Sequence, residues 1–230
     1  MKLVLLPGMD GTGELFSSLL PELNSVDYLV IPFPQTGRQD YHTLTAFIRE
    51  KLPDQDFILL AESFSGPIAA NLAKENIPSL KGVIFVATFL SSPNRLMLAF
   101  SRLLPLKLLT KFPGSTYVQR LLFFGEDASK KMLKTFQNII HSLPAKILKD
   151  RMKTMQLLVY QDFKIDIPAA YILPKFDKLV PSKKVLEFQK CFCDLILMEI
   201  NGSHFILQTK PKESAEIILE LTYKFIKSLH

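Results

Sequence analysis

Short runs of consecutive apolar residues alternate along the chain with stretches in which apolar residues recur at helical spacing. The apolar runs predict strands at 2–6, 28–33, 57–61, 82–89, 169–174 and 194–200. The helical spacing predicts helices at 14–23, 41–52, 67–76, 182–190 and 212–229. Unbroken apolar strands that alternate with helices are typical of a parallel sheet covered on both faces. The pattern therefore predicts an α/β fold with three layers, α/β/α, around a mostly parallel sheet of about six strands.

Residues 91–165 interrupt this alternation between the fourth and fifth predicted strands. Their pattern is mostly helical, at 95–112, 127–143 and 146–163. A structureless loop of this length is uncommon inside a compact domain, so we predict a helical cap insertion. The whole chain, 1–230, is then a single domain whose core consists of 1–90 and 166–230.

The positive charge of the chain is concentrated in this insertion. It holds 13 lysines and arginines against four acidic residues, a net of +9, whereas the whole chain carries +6 and the remainder therefore −3. A charge run of this kind is usually a solvated helix face. The alternatives are peripheral contact of the basic cap with an anionic membrane through the apolar run 96–109, gating of an apolar substrate by the same run, and a pocket for anionic acyl substrates. Nucleic acid is not a predicted partner, because the sequence has no platform of interleaved aromatic and basic residues.

Several classes of protein are excluded by what the sequence lacks. No apolar run reaches the roughly 18 residues of a membrane-spanning helix, and the N-terminal apolar run is too short for a signal peptide, so a cytoplasmic location is expected. Cys191 and Cys193, at the start of the last predicted strand, are expected to be reduced core cysteines. No group of residues has metal-ligand spacing, so neither a metal nor a cofactor is predicted.

Three residues with catalytic chemistry follow predicted strands. Ser63 comes after the third strand, Asp177 after the fifth and His204 after the sixth. The carboxyl ends of parallel strands meet at one edge of a sheet, so these turns are expected to lie together. A serine hydroxyl becomes a nucleophile when a base accepts its proton, histidine titrates near neutrality, and an aspartate fixes the histidine tautomer. The order and placement predict a Ser-Asp-His triad.

With the glycine-rich turn LLPGMDGTG after the first strand, these motifs resemble the α/β-hydrolase superfamily, in particular its serine esterases and lipases with a helical cap. The resemblance implies that Ser63 is the nucleophile, Asp177 the acid and His204 the base. It also implies that the backbone N–H groups of Met9 and Phe64 form the oxyanion hole. The implied activity is hydrolysis of a small-molecule carboxylic ester or thioester. An acyltransferase using the same triad and a non-enzymatic binding module are the alternatives.

The motif around Ser63 departs from the usual pattern of that superfamily. Ala61 and Ser65 stand two residues before and after Ser63, where glycines are usual, so the local sequence also fits a simple helix N-cap. The fallback acids, Asp162 and Asp166, precede the fifth strand and so lie at the wrong edge or in the cap. Two further carboxylates, Glu62 and Asp10, flank the predicted site and are expected to be partly solvated.

Overall fold

A computed structural model describes residues 1–94 and 114–227. The strands in these residues are β1 (Lys2–Leu6), β2 (Asp27–Val30), β3 (Phe57–Glu62), β4 (Leu80–Val86), β5 (Ala169–Pro174) and β6 (Ile196–Ile200). They form one sheet in the order β2-β1-β3-β4-β5-β6, and every neighbouring pair is parallel. The predicted α/β class and the parallel six-stranded sheet are confirmed.

Helices connect and cover the strands. The described α-helices are α1 (Tyr41–Arg49), α2 (Gly66–Lys74), α3 (Ser115–Gln119), α4 (Lys130–Ser142), α5 (Ala145–Leu157), α6 (Val185–Cys191), α7 (Ile206–Thr209) and α8 (Pro211–Lys227). Shorter 3-10 helices span Glu14–Ser18, Leu20–Leu23, Ser63–Ser65 and Ser182–Lys184, and a π-helical turn spans Arg120–Phe124. In the two described ranges, no helix combines the length and apolar character needed to cross a membrane.

Two hydrophobic cores separate the three layers. Because alternate strand residues face opposite sides of a sheet, β1 sends Val4 and Leu6 into one core and Leu3 and Leu5 into the other. Residues of α1, α2 and α6 pack in the first core, and residues of α7, α8 and the N-terminal 3-10 helices pack in the second. The strands are therefore buried on both faces, which explains their unbroken apolar sequences.

The helices between β4 and β5 have a smaller core of their own. It consists of Leu15 from the first 3-10 helix together with Phe124, Ala128, Leu133, Phe136, Ile139, Ile140, Leu143 and Leu148. This core covers one side of the sheet's carboxyl edge, where Met9 and Phe205 pack against it. The helical character predicted for 127–143 is thus present, whereas the predicted helix 95–112 and the whole apolar run 96–109 lie outside the described residues. The limits 91–165 of the cap remain a prediction.

Several predicted element ends differ from the structure for local reasons. β2 ends at Val30 instead of residue 33, since Pro32 has no N–H group to donate to a ladder. β4 ends at Val86 instead of residue 89, because Ala87 has a positive φ of 49°. The helix predicted over 146–163 ends at Leu157, and the carbonyl of the next residue, Leu158, accepts a hydrogen bond from the backbone N–H of Ser92.

The cysteine prediction is half wrong. Cys191 is free and buried at the end of α6, but Cys193 is free and exposed. The reason is that β6 begins only at Ile196, so Cys193 lies in the turn before the strand and not in the core.

The sheet order creates a crevice at its carboxyl edge. After β1 the chain forms β2 on one side, and after β2 it crosses to form β3 on the other side of β1. The turns that leave β1 and β3 therefore diverge, and such a switch point is where open α/β sheets bind ligands. The residues after β1 and β3 include Met9 and Ser63.

Candidate active site

Ser63 lies on a sharp turn between β3 and α2. The strand ends at Glu62, Ser63 opens a 3-10 turn, and α2 begins at Gly66. Ser63 has a φ of 51°, in the left-handed region that costs a residue with a side chain of order 1 kcal/mol or more. Ser63 is therefore no ordinary N-cap, because N-cap residues have extended backbone angles.

The close packing of this turn is provided by Gly66, which is one position after the residue where a glycine was expected. A Cβ added at Gly66 would lie 2.0 Å from Oγ1 of Thr88. The Thr88 hydroxyl in turn donates to the carbonyl of Ser63. Ser65 is fully buried and its hydroxyl donates to the carbonyl of Pro7 in the turn after β1. A glycine at position 65 would lose this link between the two turns.

The three side chains predicted to act together are in hydrogen-bond contact. Nδ1 of His204 lies 2.7 Å from Oδ2 of Asp177, and Nε2 of His204 lies 2.9 Å from Oγ of Ser63. Oδ1 of Asp177 accepts from the backbone N–H groups of Leu179 and Val180, at 2.8 and 2.9 Å. With a proton on Nδ1 directed at the carboxylate, Nε2 is left as the acceptor for the Ser63 hydroxyl.

The two fallback acids lie elsewhere. Asp162 and Asp166 are exposed and precede β5, and Asp162 accepts a hydrogen bond from the Tyr160 hydroxyl. The side chain of Asp177, by contrast, is only 2% exposed. Among the described carboxylates, Asp177 is therefore the one that bonds to His204.

His204 is buried, and two carboxylates act on its charge. Burial lowers the pKa of His204, but the negative charge and hydrogen bond of Asp177, with a smaller contribution from Glu62, raise this pKa by more. The net result is a pKa above 6.5, the ordinary value for a histidine side chain. The site thus stabilises the imidazolium that forms when His204 accepts a proton.

Glu62 and Asp10 are buried, so the expectation that they are partly solvated is wrong. They are 2% and 5% exposed. Nε2 of Gln208, on α7, donates to Oε1 of Glu62 at 2.9 Å. Burial raises the pKa of Glu62 to about 7, and the negative charge of Asp10 adds to this rise. The hydrogen bonds from Gln208 and from the N–H of Gly8, together with the charge of His204, lower the pKa but do not cancel the effect of burial. Glu62 therefore touches two neighbouring turns and titrates near neutrality, which its position in the sequence does not reveal.

The turn after β1 is held in one conformation by hydrogen bonds of its own. The N–H of Gly11 donates to the carbonyl of Gly8 at 3.0 Å, and the N–H of Phe33 donates to the carbonyl of Gly11 at 2.8 Å. Since the C=O and N–H of a trans peptide point in opposite directions, fixing the Gly8 carbonyl also fixes the direction of the Met9 N–H. Met9 lines the same cavity as Ser63 and His204.

Phe64, the second predicted donor residue, follows Ser63 directly. Its N–H lies in the first turn of a helix, where backbone donors have no intrahelical acceptor. Its ring is fully buried and packs against Phe33 and Tyr41, at centroid distances of 5.8 and 5.0 Å. The ring therefore anchors the turn in the core of the domain.

An apolar cavity of about 180 Å³ adjoins Ser63 and His204. Its described lining consists of Gly8, Met9, Asp10, Leu15, Ser63, Phe89, Pro93, Leu122, Phe123, Phe136, Ile140, Met152, Met155, Leu179, Val180, His204 and Phe205. The sheet edge supplies every polar side chain of this lining, and the helices between β4 and β5 supply apolar ones. No lysine or arginine is among these lining residues. In the two described ranges, no three His, Cys, Asp or Glu side chains are grouped as metal ligands.

Comparisons with known proteins agree with this architecture. The family model described as "Serine aminopeptidase, S33" matches residues 29–192. No curated protein matches the chain in sequence.

Solved structures resemble the chain over nearly its whole length. The enol-lactonase from Burkholderia xenovorans LB400 has a TM-score of 0.80 at 13% identity, covering 96% of this chain and 91% of that one. The esterase EaEST from Exiguobacterium antarcticum has a TM-score of 0.77 at 14% identity, covering 96% and 91%. A thermophilic esterase from Thermogutta terrifontis has a TM-score of 0.76 at 13% identity, covering 98% and 90%. At such identities the likeness shows a common fold.

Proposed function

Because this chain belongs to the serine aminopeptidase S33 family, and so to the α/β hydrolases that its motifs resemble, we propose that it is a serine hydrolase. The proposed reaction is cleavage of a carboxylic ester or thioester through an acyl-enzyme on Ser63. The observation that carries the proposal is the chain of hydrogen bonds from Asp177 through His204 to Ser63 at the mouth of an apolar cavity.

The proposed reaction begins with attack of Ser63 Oγ on the acyl carbonyl carbon while Nε2 of His204 accepts the hydroxyl proton. Asp177 stabilises the resulting imidazolium. The N–H groups of Met9 and Phe64 donate to the oxyanion of the tetrahedral intermediate. Collapse of the intermediate breaks the C–O or C–S bond, and His204 gives its proton to the leaving alcohol or thiol. Water, deprotonated by His204, then attacks the acyl-enzyme and releases the acid.

The cavity favours an uncharged acyl group as the substrate. Its polar side chains are confined to the reacting end, and a cavity of about 180 Å³ is slightly larger than the roughly 150 Å³ apolar cavity that binds benzene in an engineered protein. An acyl chain of several carbons, or a small aromatic acyl group, would bury apolar surface there without leaving a charge unpaired. An anionic acyl group would have no cation to meet among the described lining residues.

Labelling with a fluorophosphonate tests the nucleophile. Wild-type protein should be labelled and should hydrolyse p-nitrophenyl esters, whereas Ser63→Ala should lose labelling and about 10⁶-fold in kcat. Ser142→Ala, on α4, is the matched control and should behave as wild type. Absence of labelling in wild type would refute a serine hydrolase, and labelling that survives Ser63→Ala would refute the nucleophile.

Product analysis tests the substrate class. With p-nitrophenyl esters and acyl thioesters of graded length, free acid should be the product even when an alcohol acceptor is added. Ester formed with the acceptor would identify an acyltransferase instead. Faster cleavage of amino-acid p-nitroanilides than of any ester would contradict the ester assignment and favour an aminopeptidase.

A further inference from the structure

Arg151 differs from the other basic residues of α5. Lys146, Lys149 and Lys153 are exposed on this helix, whereas Arg151 is fully buried. Burying an arginine is costly unless its donors find acceptors, because the guanidinium loses its hydration. The contacts of Arg151 therefore indicate why the charge is there.

The guanidinium donates to four oxygens that belong to two segments of the core domain. Nη1 donates to the carbonyls of Met9 and Asp10, at 2.9 and 2.7 Å. Nη2 donates to the carbonyl of Pro34 at 3.0 Å, and Nε donates to Oε1 of Gln39 at 2.8 Å. The planar fork of an arginine suits such divergent acceptors, which a lysine ammonium cannot reproduce.

Two of these acceptors belong to the turn that carries the Met9 N–H. The Gly8 carbonyl is held by Gly11, and the next two carbonyls, of Met9 and Asp10, are both held by Arg151. Three successive peptide planes are therefore fixed, two of them by a side chain from the helices between β4 and β5. The approach is so close that a Cβ on Gly11, whose φ is +70°, would lie 2.3 Å from Nη1.

We propose that Arg151 is a positioning residue of the active site, through which the insertion holds the turn after β1 in the conformation that presents the Met9 N–H to the substrate oxyanion. The proposal rests on the proposed function insofar as Met9 is an oxyanion donor. Whether Arg151 fixes the conformation of this turn does not depend on that function and can be tested separately.

The charge of Arg151 is retained throughout the pH range in which such an enzyme would work. Burial lowers the pKa of Arg151 to about 10, and the Asp10 carboxylate opposes this decrease. Arg151 is thus a permanent cation at neutral pH, and its hold on the two carbonyls does not depend on pH there.

The test compares Arg151→Met and Arg151→Lys with Thr154→Val. The hydroxyl of Thr154, also on α5, donates to the carbonyl of Gln39 at 3.1 Å, so Thr154→Val loosens the same helix without touching residues 8–11. Three experiments are made on each variant: steady-state kinetics with a p-nitrophenyl ester, amide hydrogen exchange of residues 8–16, and thermal unfolding.

We expect Arg151→Met to lower kcat by about 30- to 100-fold with KM changed less than about threefold, since a misplaced oxyanion donor affects mainly the transition state. Exchange in residues 8–16 should accelerate. Arg151→Lys should show a smaller decrease in kcat, and Thr154→Val should lower only the melting temperature.

Two results would overturn the proposal: a folded Arg151 variant with wild-type kcat, or one with unchanged exchange in residues 8–16. An equal loss of kcat in Thr154→Val would also overturn it, because loosening of the helix would then suffice. If wild-type protein hydrolyses no ester, the proposed function fails, and the exchange rates still decide whether Arg151 holds the turn.

Discussion

The turns at the carboxyl edge of the sheet and the helices between β4 and β5 face the same cavity but contribute different kinds of groups. The turns supply Ser63, which a tight turn fixes, Asp177, which two backbone N–H groups fix, and His204, which bonds to both of these side chains. The described helices supply apolar side chains such as Leu122 and Phe136 to the cavity, and their buried Arg151 donates to carbonyls of the turn after β1. In the function that we propose, the sheet edge therefore carries out the chemistry and the helices determine which acyl group binds.

After Ser63→Ala, the largest effect should come from another residue of the sheet edge, in Asp177→Asn. Oδ1 of Asp177 accepts from two backbone N–H groups, so an asparagine would keep its oxygen there and direct its NH₂ toward Nδ1 of His204. His204 would then carry its proton on Nε2 and could not accept one from Ser63. We expect kcat to decrease by about 10⁴-fold without loss of folding.

Asp162→Asn is the matched control for this prediction, because Asp162 is exposed and makes no contact with His204. Its kcat should equal that of wild type. Steady-state kinetics with one ester and circular dichroism of all three proteins provide the comparison. Wild-type kcat in a folded Asp177→Asn protein would contradict the role of Asp177.

The next largest effect should come from the helices, in Leu122→Trp. Leu122 is half-buried and lines the cavity, whereas its neighbour Leu121 is 47% exposed and does not. A larger ring at position 122 should shorten the acyl site. Each methylene that no longer fits costs about 10-fold or more in kcat/KM, so we expect hexanoyl and longer esters to lose about 10- to 100-fold relative to acetyl esters.

Leu121→Trp adds the same ring outside the cavity and should leave the chain-length profile unchanged. Measuring kcat/KM over p-nitrophenyl esters from acetyl to decanoyl checks both variants. If both profiles match that of wild type, the acyl group does not bind in this cavity. The helices would then not determine which acyl group binds.

The two regions also differ in how far the sequence predicts them. Apolar runs and turn residues place all six strands, and β5 is predicted to the residue at 169–174, because strands buried on both faces need an unbroken apolar sequence. The approach of Ser63, Asp177 and His204 follows from strand order, since parallel strands end at one edge.

In the insertion, no comparable relation connects the sequence pattern with the position of a side chain. Arg151 is one of 13 basic residues there, and its spacing from Lys149 and Lys153 gives no sign that, among those the structure describes, it is the buried one. The burial of Glu62 is hidden for a similar reason. A carboxylate at a strand end is usually solvated, and the burial that raises the pKa of Glu62 depends on packing that its position in the sequence does not show.

Glu62→Gln should have a moderate effect that depends on pH. Between pH 4.5 and about 7 the folded protein keeps the Glu62 proton that the unfolded chain has released, so the stability of wild type decreases as the pH rises through this range. Relative to Glu62→Gln, wild type should lose about 3 kcal/mol in free energy of unfolding between pH 4.5 and pH 8. Urea denaturation at both pH values measures this difference.

The same variant should also shift the pH profile of activity. The charge of Glu62 helps to raise the pKa of His204, so removing it should move the acidic limb of kcat/KM to lower pH. Glu199→Gln removes an exposed carboxylate that pairs with Lys175 and is expected to leave both profiles unchanged. A Glu62→Gln protein with wild-type pH profiles would show that Glu62 stays neutral or is screened in solution.

The smallest effect should come from the solvent side of the insertion, in the triple variant Lys146→Ala, Lys149→Ala and Lys153→Ala. All three lysines are exposed, and the side chain of Lys146 is 82% exposed where it pairs with Asp150. None of the three is among the described lining residues of the cavity, and salt screens exposed charges, so kcat/KM for a neutral soluble ester should change by less than about twofold. This result would support the interpretation of the basic charges as a solvated face.

A selective loss of activity toward esters with a carboxylate on the acyl chain would favour an anionic substrate. Loss of co-sedimentation with phosphatidylserine vesicles, with unchanged hydrolysis of the soluble ester, would favour membrane contact. The exposed lysines therefore test whether the positive charge of the insertion affects substrate or membrane binding from the protein surface. Arg151 tests whether a buried positive charge of the insertion acts by direct contact with the turn after β1.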